Sequence, residues 1–335
     1  MTRRGPFIWI VTTLLLLVVF CLSITWGRYA LSMGDVVRIL LSRIVPIHRT
    51  WTVAMERVVF SIRLPRIVMA MLAGLALSLS GATYQGVFQN PMASPDILGS
   101  SNGAAFGAAL AILLGFPASG VMALSFLASL ATVMLVYALS RALKTRRTTG
   151  LILSGIMVGS LCGSGTSFIK LVADPTNQLP AITYWLMGSL SGTDWHTVAI
   201  AVVPLAIGVV PLLFLSWKTD LLSLGDEDAL TLGVDVNRLR GVLVISATLA
   251  TSAVIATCGL IGWVGLVVPH LARKVTGSSH TKVFPASALF GALFLLLVDD
   301  IARCAATSEI PIGILTAFVG APFFLFLMLR GKEHL

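Results

Sequence analysis

Long apolar runs alternate with short polar breaks along almost the whole chain. About twenty apolar residues carry a helix across hydrocarbon, and runs near that length lie at 7–26, 67–88, 103–117, 119–140, 150–172, 197–216, 239–258, 284–303 and 312–330. They predict nine membrane helices. The stretch "GLIGWVGLVVPHLARK", 259–274, is apolar but short, and Gly259, Gly262, Gly265 and Pro269 interrupt it. It either extends the preceding helix or makes a crossing of its own. Between the second and third runs, "NPMASPDILGSSNGAAFG" (90–107) gathers two prolines with Ser, Asn, Asp and Gly, a density of helix breakers that no other apolar boundary shows.

Charge placement decides the count. With the N-terminus inside and ten crossings, Arg141, Lys144, Arg146, Arg147, Lys218, Arg238, Arg240, Arg273, Lys274, Lys282, Arg330 and Lys332 all fall in cytoplasmic segments. The external loops near Gly115–Gly120 and Asp174–His196 then carry no Lys or Arg. Nine crossings would turn the last basic clusters outward, so the positive-inside rule favours ten, with both termini cytoplasmic. Composition agrees: 57% of the residues are hydrophobic and 11% charged, with a mean hydropathy of +0.95, against about 25% charged in soluble domains. The net charge of +9 belongs to loops beside an anionic leaflet and not to nucleic-acid binding. "MTRRG" precedes an apolar run too long for a cleaved signal core and lacking a small-x-small site, so the first span is expected to stay uncleaved. Cys21, Cys162, Cys258 and Cys304 stand singly, as small core residues do.

One segment runs against the charge rule. The external stretch 28–66 holds Arg28, Arg38, Arg43, Arg49, Arg57, Arg63 and Arg66 against Asp35 and Glu56. It is either a plain hydrophilic loop or a docking surface for an acidic external partner. Four-residue spacing of Gly99, Gly103, Gly107 and of Gly155, Gly159, Gly163 predicts smooth helix faces for close packing.

Catalytic chemistry is missing. No HExxH, zinc-deaminase motif or P-loop occurs, and Lys170, Asp299, Asp300 and Arg303 sit near span ends, leaving an ion-coupled carrier without its expected midplane acid. Energy for active transport would have to come from a partner. The longest polar cytoplasmic insertion, "LLSLGDEDALTLGVDVNRLR" (221–240), offers a handle. Leu222, Ala229, Leu230 and Leu232 alternate with Asp226, Glu227 and Asp228, predicting a short amphipathic helix with acids in its first turn, where the helix dipole favours them.

The segments "IRLPR" (62–66), "GLALSLSGATYQGVFQNPMASPDILGSSNGA" (74–104), "SLGDEDALTLGV" (223–234), "GLVVPHLAR" (265–273) and "EIPIGILTAFVGAPFF" (309–324) together resemble the permease subunits of the ABC importers for ferric siderophores, haem and cobalamin. The resemblance runs from about residue 7 to the C-terminus. It implies an all-α polytopic membrane protein with ten transmembrane helices per subunit, the type II ABC importer permease fold. Residues 1–335 would form a single permease domain, with 28–66 as an external loop and 217–240 as the cytoplasmic coupling segment.

Further expectations come from the same resemblance. The chain would be a multi-pass subunit of the inner membrane and not an enzyme, binding no cofactor or metal itself. Two ABC ATPase subunits would use ATP and Mg; a second permease copy, identical or paralogous, would complete the path; and a periplasmic or lipid-anchored binding protein would deliver cargo. Arg63, Arg66 and Arg303 match the arginines that meet acidic residues on that binding protein. Asn90, Pro91, Met92, Thr148 and Thr149 match the cytoplasmic gate. Leu224, Gly225, Asp226, Glu227, Asp228, Ala229, Leu232 and Gly233 match the coupling helix seated in the ATPase. A ferric siderophore is the expected cargo, with haem or cobalamin as alternatives; an ion-coupled secondary transporter is the alternative of a different class. The acidic run Asp226–Asp228 and the loop 43–58 depart from the family pattern.

Overall fold

A computed structural model of the chain describes residues 5–143 and 147–330. Lys144, Arg146 and Lys332, whose charges bear on the orientation, lie outside the described residues. Among the described residues no strand occurs. In chain order the helices are α1 (Gly5–Thr25), α2 (Met33–Leu41), α3 (Val53–Arg57), a π-helical turn (Val58–Arg63) and α4 (Leu64–Phe88). After a 3₁₀ turn (Pro95–Leu98) come α5 (Ser100–Leu113), α6 (Ala118–Ala142), α7 (Arg147–Val172), α8 (Gln178–Leu186), α9 (Trp195–Phe214) and α10 (Ser216–Leu222). The rest are α11 (Asp226–Thr231), α12 (Val236–Cys258), α13 (Val264–Thr276), α14 (His280–Cys304) and α15 (Ile312–Arg330).

Seven of these helical stretches are long and apolar enough to cross a membrane: 7–25, 53–88, 118–142, 148–172, 195–214, 236–258 and 280–304. Ser100–Leu113 and Ile312–Phe326 are shorter apolar helices. The segment 259–274 does not extend α12. Gly259 leaves the helix at φ 70°, and Trp263 takes φ 70° before α13 restarts.

The buried centre is α4, which packs on α14, α12, α13 and α9. Backbones meet directly there. A Cβ on Gly74 would lie 2.1 Å from the Gly291 carbonyl oxygen of α14, and one on Gly81 would lie 1.8 Å from that of Gly265 in α13. Between helices in lipid there is no hydrophobic driving force, so close van der Waals approach and interhelical hydrogen bonds carry the association. The bonds are present: Tyr84 Oη to Thr248 Oγ1 at 2.8 Å, Ser80 Oγ to the Ala247 carbonyl at 3.2 Å, and Ser129 Oγ to Ser252 Oγ at 2.7 Å. Each is worth about 0.6 kcal/mol on average, so the bundle rests on many of them together with the glycine contacts.

The stretch 28–66 is not simply a loop. It contains α2, capped by Ser32 accepting from the Asp35 N–H, and a helical run from Val53 that continues without a break into α4. Pro65 supplies a physical cause for the π turn just before it. A proline has no N–H and its ring clashes with the carbonyl four residues back, here Ser61, which opens the helical ladder. One carbonyl of the widened turn is taken up from outside: Trp195 Nε1, in the first turn of α9, donates to the Phe60 oxygen at 2.7 Å.

Candidate functional site

At one end of α4 the helix stops in a left-handed residue. Gln89 has φ 50°, its N–H donates to Gly86 and the Asn90 N–H donates to Gln85, the pattern of a Schellman cap. Asn90 then folds its side chain back to accept the Met92 N–H at 2.9 Å, and Asn90, Pro91 and Met92 are exposed. Pro95 opens the 3₁₀ turn that leads into α5. The predicted gate residues therefore sit on a tight, self-bonded turn between two helices. Thr148 and Thr149 begin α7 beside it.

The predicted coupling residues lie against the same region. Gln89 Nε2 donates to the carbonyl of Leu222, the last residue of α10. A cavity of about 660 Å³ is lined by Phe88 and Gln89 at the end of α4, Thr148 of α7, Leu224–Asp228, and Arg240 of α12. Asp226 and Arg240 form a two-pronged pair across it: Nη2 to Oδ1 at 2.8 Å and Nη1 to Oδ2 at 3.1 Å. The Arg240 guanidinium holds the Asp226 carboxyl below its ordinary value, outweighing partial burial. Ala229 is buried, whereas Glu227, Asp228, Leu224, Leu230 and Leu232 face outward, the three leucines each 58% exposed. An acidic turn thus carries an uncovered apolar patch. Nearby, burial would raise the Asp220 carboxyl, but the His280 backbone N–H, the Ser279 hydroxyl and the His280 ring donate to it and hold it low.

At the opposite end of α4 the three arginines expected on a docking surface are buried and paired within the chain. Arg63 donates to the carbonyls of Ile24, Thr25 and Tyr29 at 2.5–2.9 Å. Arg66 reaches Asp299 at 2.9 Å and both oxygens of Glu309 at 2.9 Å. Arg303 binds Asp299 at 3.2 Å and also Asp300, which accepts from Ser23 Oγ at 2.5 Å. The three guanidiniums are thus buried: Asp299, Asp300 and Glu309 pair with Arg66 and Arg303, backbone carbonyls hold Arg63, and these contacts tie α1, α4 and α14 together. Sequence reasoning places Asp299 and Asp300 only as charges near a span end. Their spacing of four and three before Arg303 is the signal for an intrahelical ion pair. The cations that do face out here are Arg28, Arg38, Arg43, Arg49 and Arg57. Glu56 bridges Arg43 and Arg49 at 3.1 and 2.8 Å.

Between the two ends, α7 turns a mixed face away from the bundle. Ser160, Ser164 and Ser167 are exposed in its middle, flanked by Met157, Leu161 and Phe168, and Asn102 of α5 is exposed nearby. A Cβ on Gly159 would lie 3.1 Å from the Asn102 side chain, whereas one on Gly163 would meet nothing within 4 Å. The glycine stripe of α7 is thus packed at one end and open at the other. Polar side chains in the middle of an apolar helix face bundle interiors or water-filled cavities.

The fold is that of a polytopic helical membrane protein, and its relatives make it a permease, a transport component and not an enzyme. The chain belongs to the FecCD transport family, whose model matches residues 15–330. It is 37% identical over 321 residues to the molybdate import system permease protein of Haemophilus influenzae, covering 96% of this chain and 95% of that protein. It is 44% identical over 277 residues to the cobalamin import system permease protein of Halobacterium salinarum, covering 82% and 74%. With the hemin transport system permease protein of Yersinia pestis it shares 38% over 288 residues, covering 84% and 86%. Its fold is similar to the solved structure of a metal-chelate type ABC transporter in an inward-facing conformation, with a TM-score of 0.88, 36% identity, and 97% and 99% of the two chains covered.

Proposed function

We propose that this chain is the permease subunit through which an ATP-driven importer moves a ferric siderophore from a binding protein into the cytoplasm, with haem or cobalamin as the alternative cargo. The uncharged, mixed face of α7 carries the reading. From Thr148 to Ile169 the helix has no charged residue, and its exposed side chains are small hydroxyls, leucine, isoleucine, methionine and phenylalanine. Such a wall suits a bulky chelate whose metal charge is masked by its own ligands. A free oxyanion, such as the molybdate named for one relative, gains from cationic side chains or backbone N–H groups, and this face offers no cation between those residues. A second permease copy, identical or paralogous, closes the path along α7, and α5, α13 and α15 complete ten crossings with the arginine-rich end outward.

ATP and Mg are handled by two ATPase subunits that take the exposed leucines and acids of Leu224–Gly233; the permease itself binds no cofactor. A periplasmic or lipid-anchored binding protein docks on the arginine-rich end. There the exposed Arg28, Arg38, Arg43, Arg49 and Arg57 meet its acidic surface, and Arg63, Arg66 and Arg303 form the buried floor. The test is uptake by proteoliposomes holding permease, ATPase and binding protein, offered a ferric hydroxamate, a ferric catecholate, haem, cobalamin and molybdate in turn. ATP-dependent accumulation of a ferric siderophore is expected. Accumulation of molybdate alone overturns the cargo reading, and uptake driven by membrane potential without the ATPase overturns the importer reading in favour of an ion-coupled carrier.

A further inference from the structure

The arginine network is not buried equally on all sides. Arg66 turns Nε and Nη2 inward to Asp299, which is fully buried and shared with Arg303. Its remaining nitrogen, Nη1, is held by both oxygens of Glu309, whose side chain is 27% exposed. Glu309 lies in the segment 305–311 between α14 and α15, whose residues 305–308 are exposed, and Arg28 reaches the Ala306 carbonyl of the same segment at 3.5 Å. One carboxylate therefore covers the outward edge of a guanidinium, close to the exposed Arg28.

The residues just beyond Glu309 give that contact a mechanical consequence. The first residues of α15 donate into the turn after α8: Ile312 N–H to the Gly188 oxygen at 2.9 Å and Gly313 N–H to that of Met187 at 3.1 Å. The same turn is tied to the end of α12 by Ser189 N–H to the Cys258 oxygen at 2.7 Å. Backbone bonds thus stitch the ends of α8, α12 and α15 into one patch. That patch borders a cavity of about 420 Å³ lined by Tyr184, Trp185 and Cys258, and a groove of about 650 Å³ lined by Trp263 and Phe318.

We propose that Glu309 is an internal stand-in for a carboxylate of the acidic partner: on docking, a partner carboxylate takes Arg66 Nη1, Glu309 is released, and the patch it anchors is freed to move. This rests on the reading that an acidic binding protein docks at this end. One carboxylate replaces another on the same nitrogen, so the charge-assisted bonds of Arg66 are conserved through the exchange. Asp299 stays in place because it is buried beneath two arginines, so the network keeps its floor while its cover changes. The five exposed arginines concentrate acidic surface above the one that is covered.

The experiment uses the assembled permease–ATPase complex in nanodiscs and its fluorescently labelled cognate binding protein. Glu309→Gln removes the internal competitor's charge. Binding-protein affinity is expected to rise about two- to fivefold, the range an exposed ion pair supports, and ATPase turnover without binding protein is expected to rise with it. Glu309→Asp keeps the charge with a shorter reach and should shift both quantities in the same direction by less, which keeps the idea testable if the glutamine variant fails to assemble. Unchanged affinity and basal turnover, or a fall in affinity, overturns the proposal. A wild-type complex that binds no acidic partner at all sinks the docking reading itself, and is told apart because the wild type alone decides it.

Discussion

The side-chain amide of Gln89 donates to the carbonyl of Leu222, fastening the end of α4 to the turn that leads into the acidic helix α11. Because Gln89 is itself the left-handed cap of α4, a displacement of α10 and α11 is delivered to the residue that sets where α4 stops and the proposed gate turn begins. Gln89→Leu keeps the volume and removes the donor. Transport per ATP hydrolysed is expected to fall several-fold while ATPase turnover persists, measured as both rates in the same proteoliposomes. An unchanged ratio would show that the bond only closes the helix end.

The ion network at the other end bears on stability. Removing one partner of a buried pair leaves an uncompensated charge and costs about 3–5 kcal/mol, whereas removing both costs much less. Arg66→Met alone should therefore lower the thermal unfolding temperature of the detergent-solubilised chain steeply, and adding Asp299→Asn should recover part of the loss. Additive losses in the double variant would mean that Asp299 is held mainly by Arg303.

The Asp226–Arg240 pair makes a pH prediction with a definite sign. Its carboxyl is lowered in the folded chain, so the pair stabilises the packing of α11 on α12 above the ordinary carboxylate range and loses that contribution as pH falls below about 4. Asp226 is more than half exposed, which limits the contribution to about 1 kcal/mol or less. A spin label on Thr231→Cys should keep constant mobility from about pH 8 to about pH 5 and loosen only below about pH 4. With Asp226→Asn added, it should be loose throughout. Loosening near neutral pH would point to a different group.

The legible part of this fold is the part written in apolar length. The runs 119–140, 150–172, 239–258 and 284–303 fall within a few residues of α6, α7, α12 and α14, since a membrane helix must satisfy its own backbone bonds along one continuous stretch. The region 28–66 is harder because its helices are short and amphipathic, and because Pro65 gives a local reason for the π turn without announcing its extent. Resemblance groups Arg63, Arg66 and Arg303, and the fold brings them to one end of α4. It does not reveal that Asp299 and Glu309, 233 and 243 residues from Arg66, cover two of its edges. Such pairings depend on how α4 and α14 pack, which glycine contacts determine and no spacing in one chain encodes. Arg240 and Asp226, fourteen residues apart across one turn, are within reach of charge pairing by inspection.

The outward leucines of the proposed coupling segment permit the sharpest test of where force enters. Leu224, Leu230 and Leu232 lie in water-facing positions on a turn that also bears Glu227 and Asp228, and a fully buried leucine side chain gains about 1.5–3 kcal/mol over an exposed one. Among the described residues nothing covers them, so their substitution should leave the chain's own stability within about 0.5 kcal/mol. A partner that buries them would lose most of its hold. Leu230→Ser with Leu232→Ser should therefore weaken retention of the ATPase by at least about tenfold while the unfolding temperature of the isolated permease stays put. Glu227→Lys, at the rim of the same patch, should act mainly on the rate of association and its salt dependence. Copurification of the ATPase at wild-type level with the double leucine variant would move the coupling surface elsewhere, and a matching drop in permease stability would return the leucines to the fold.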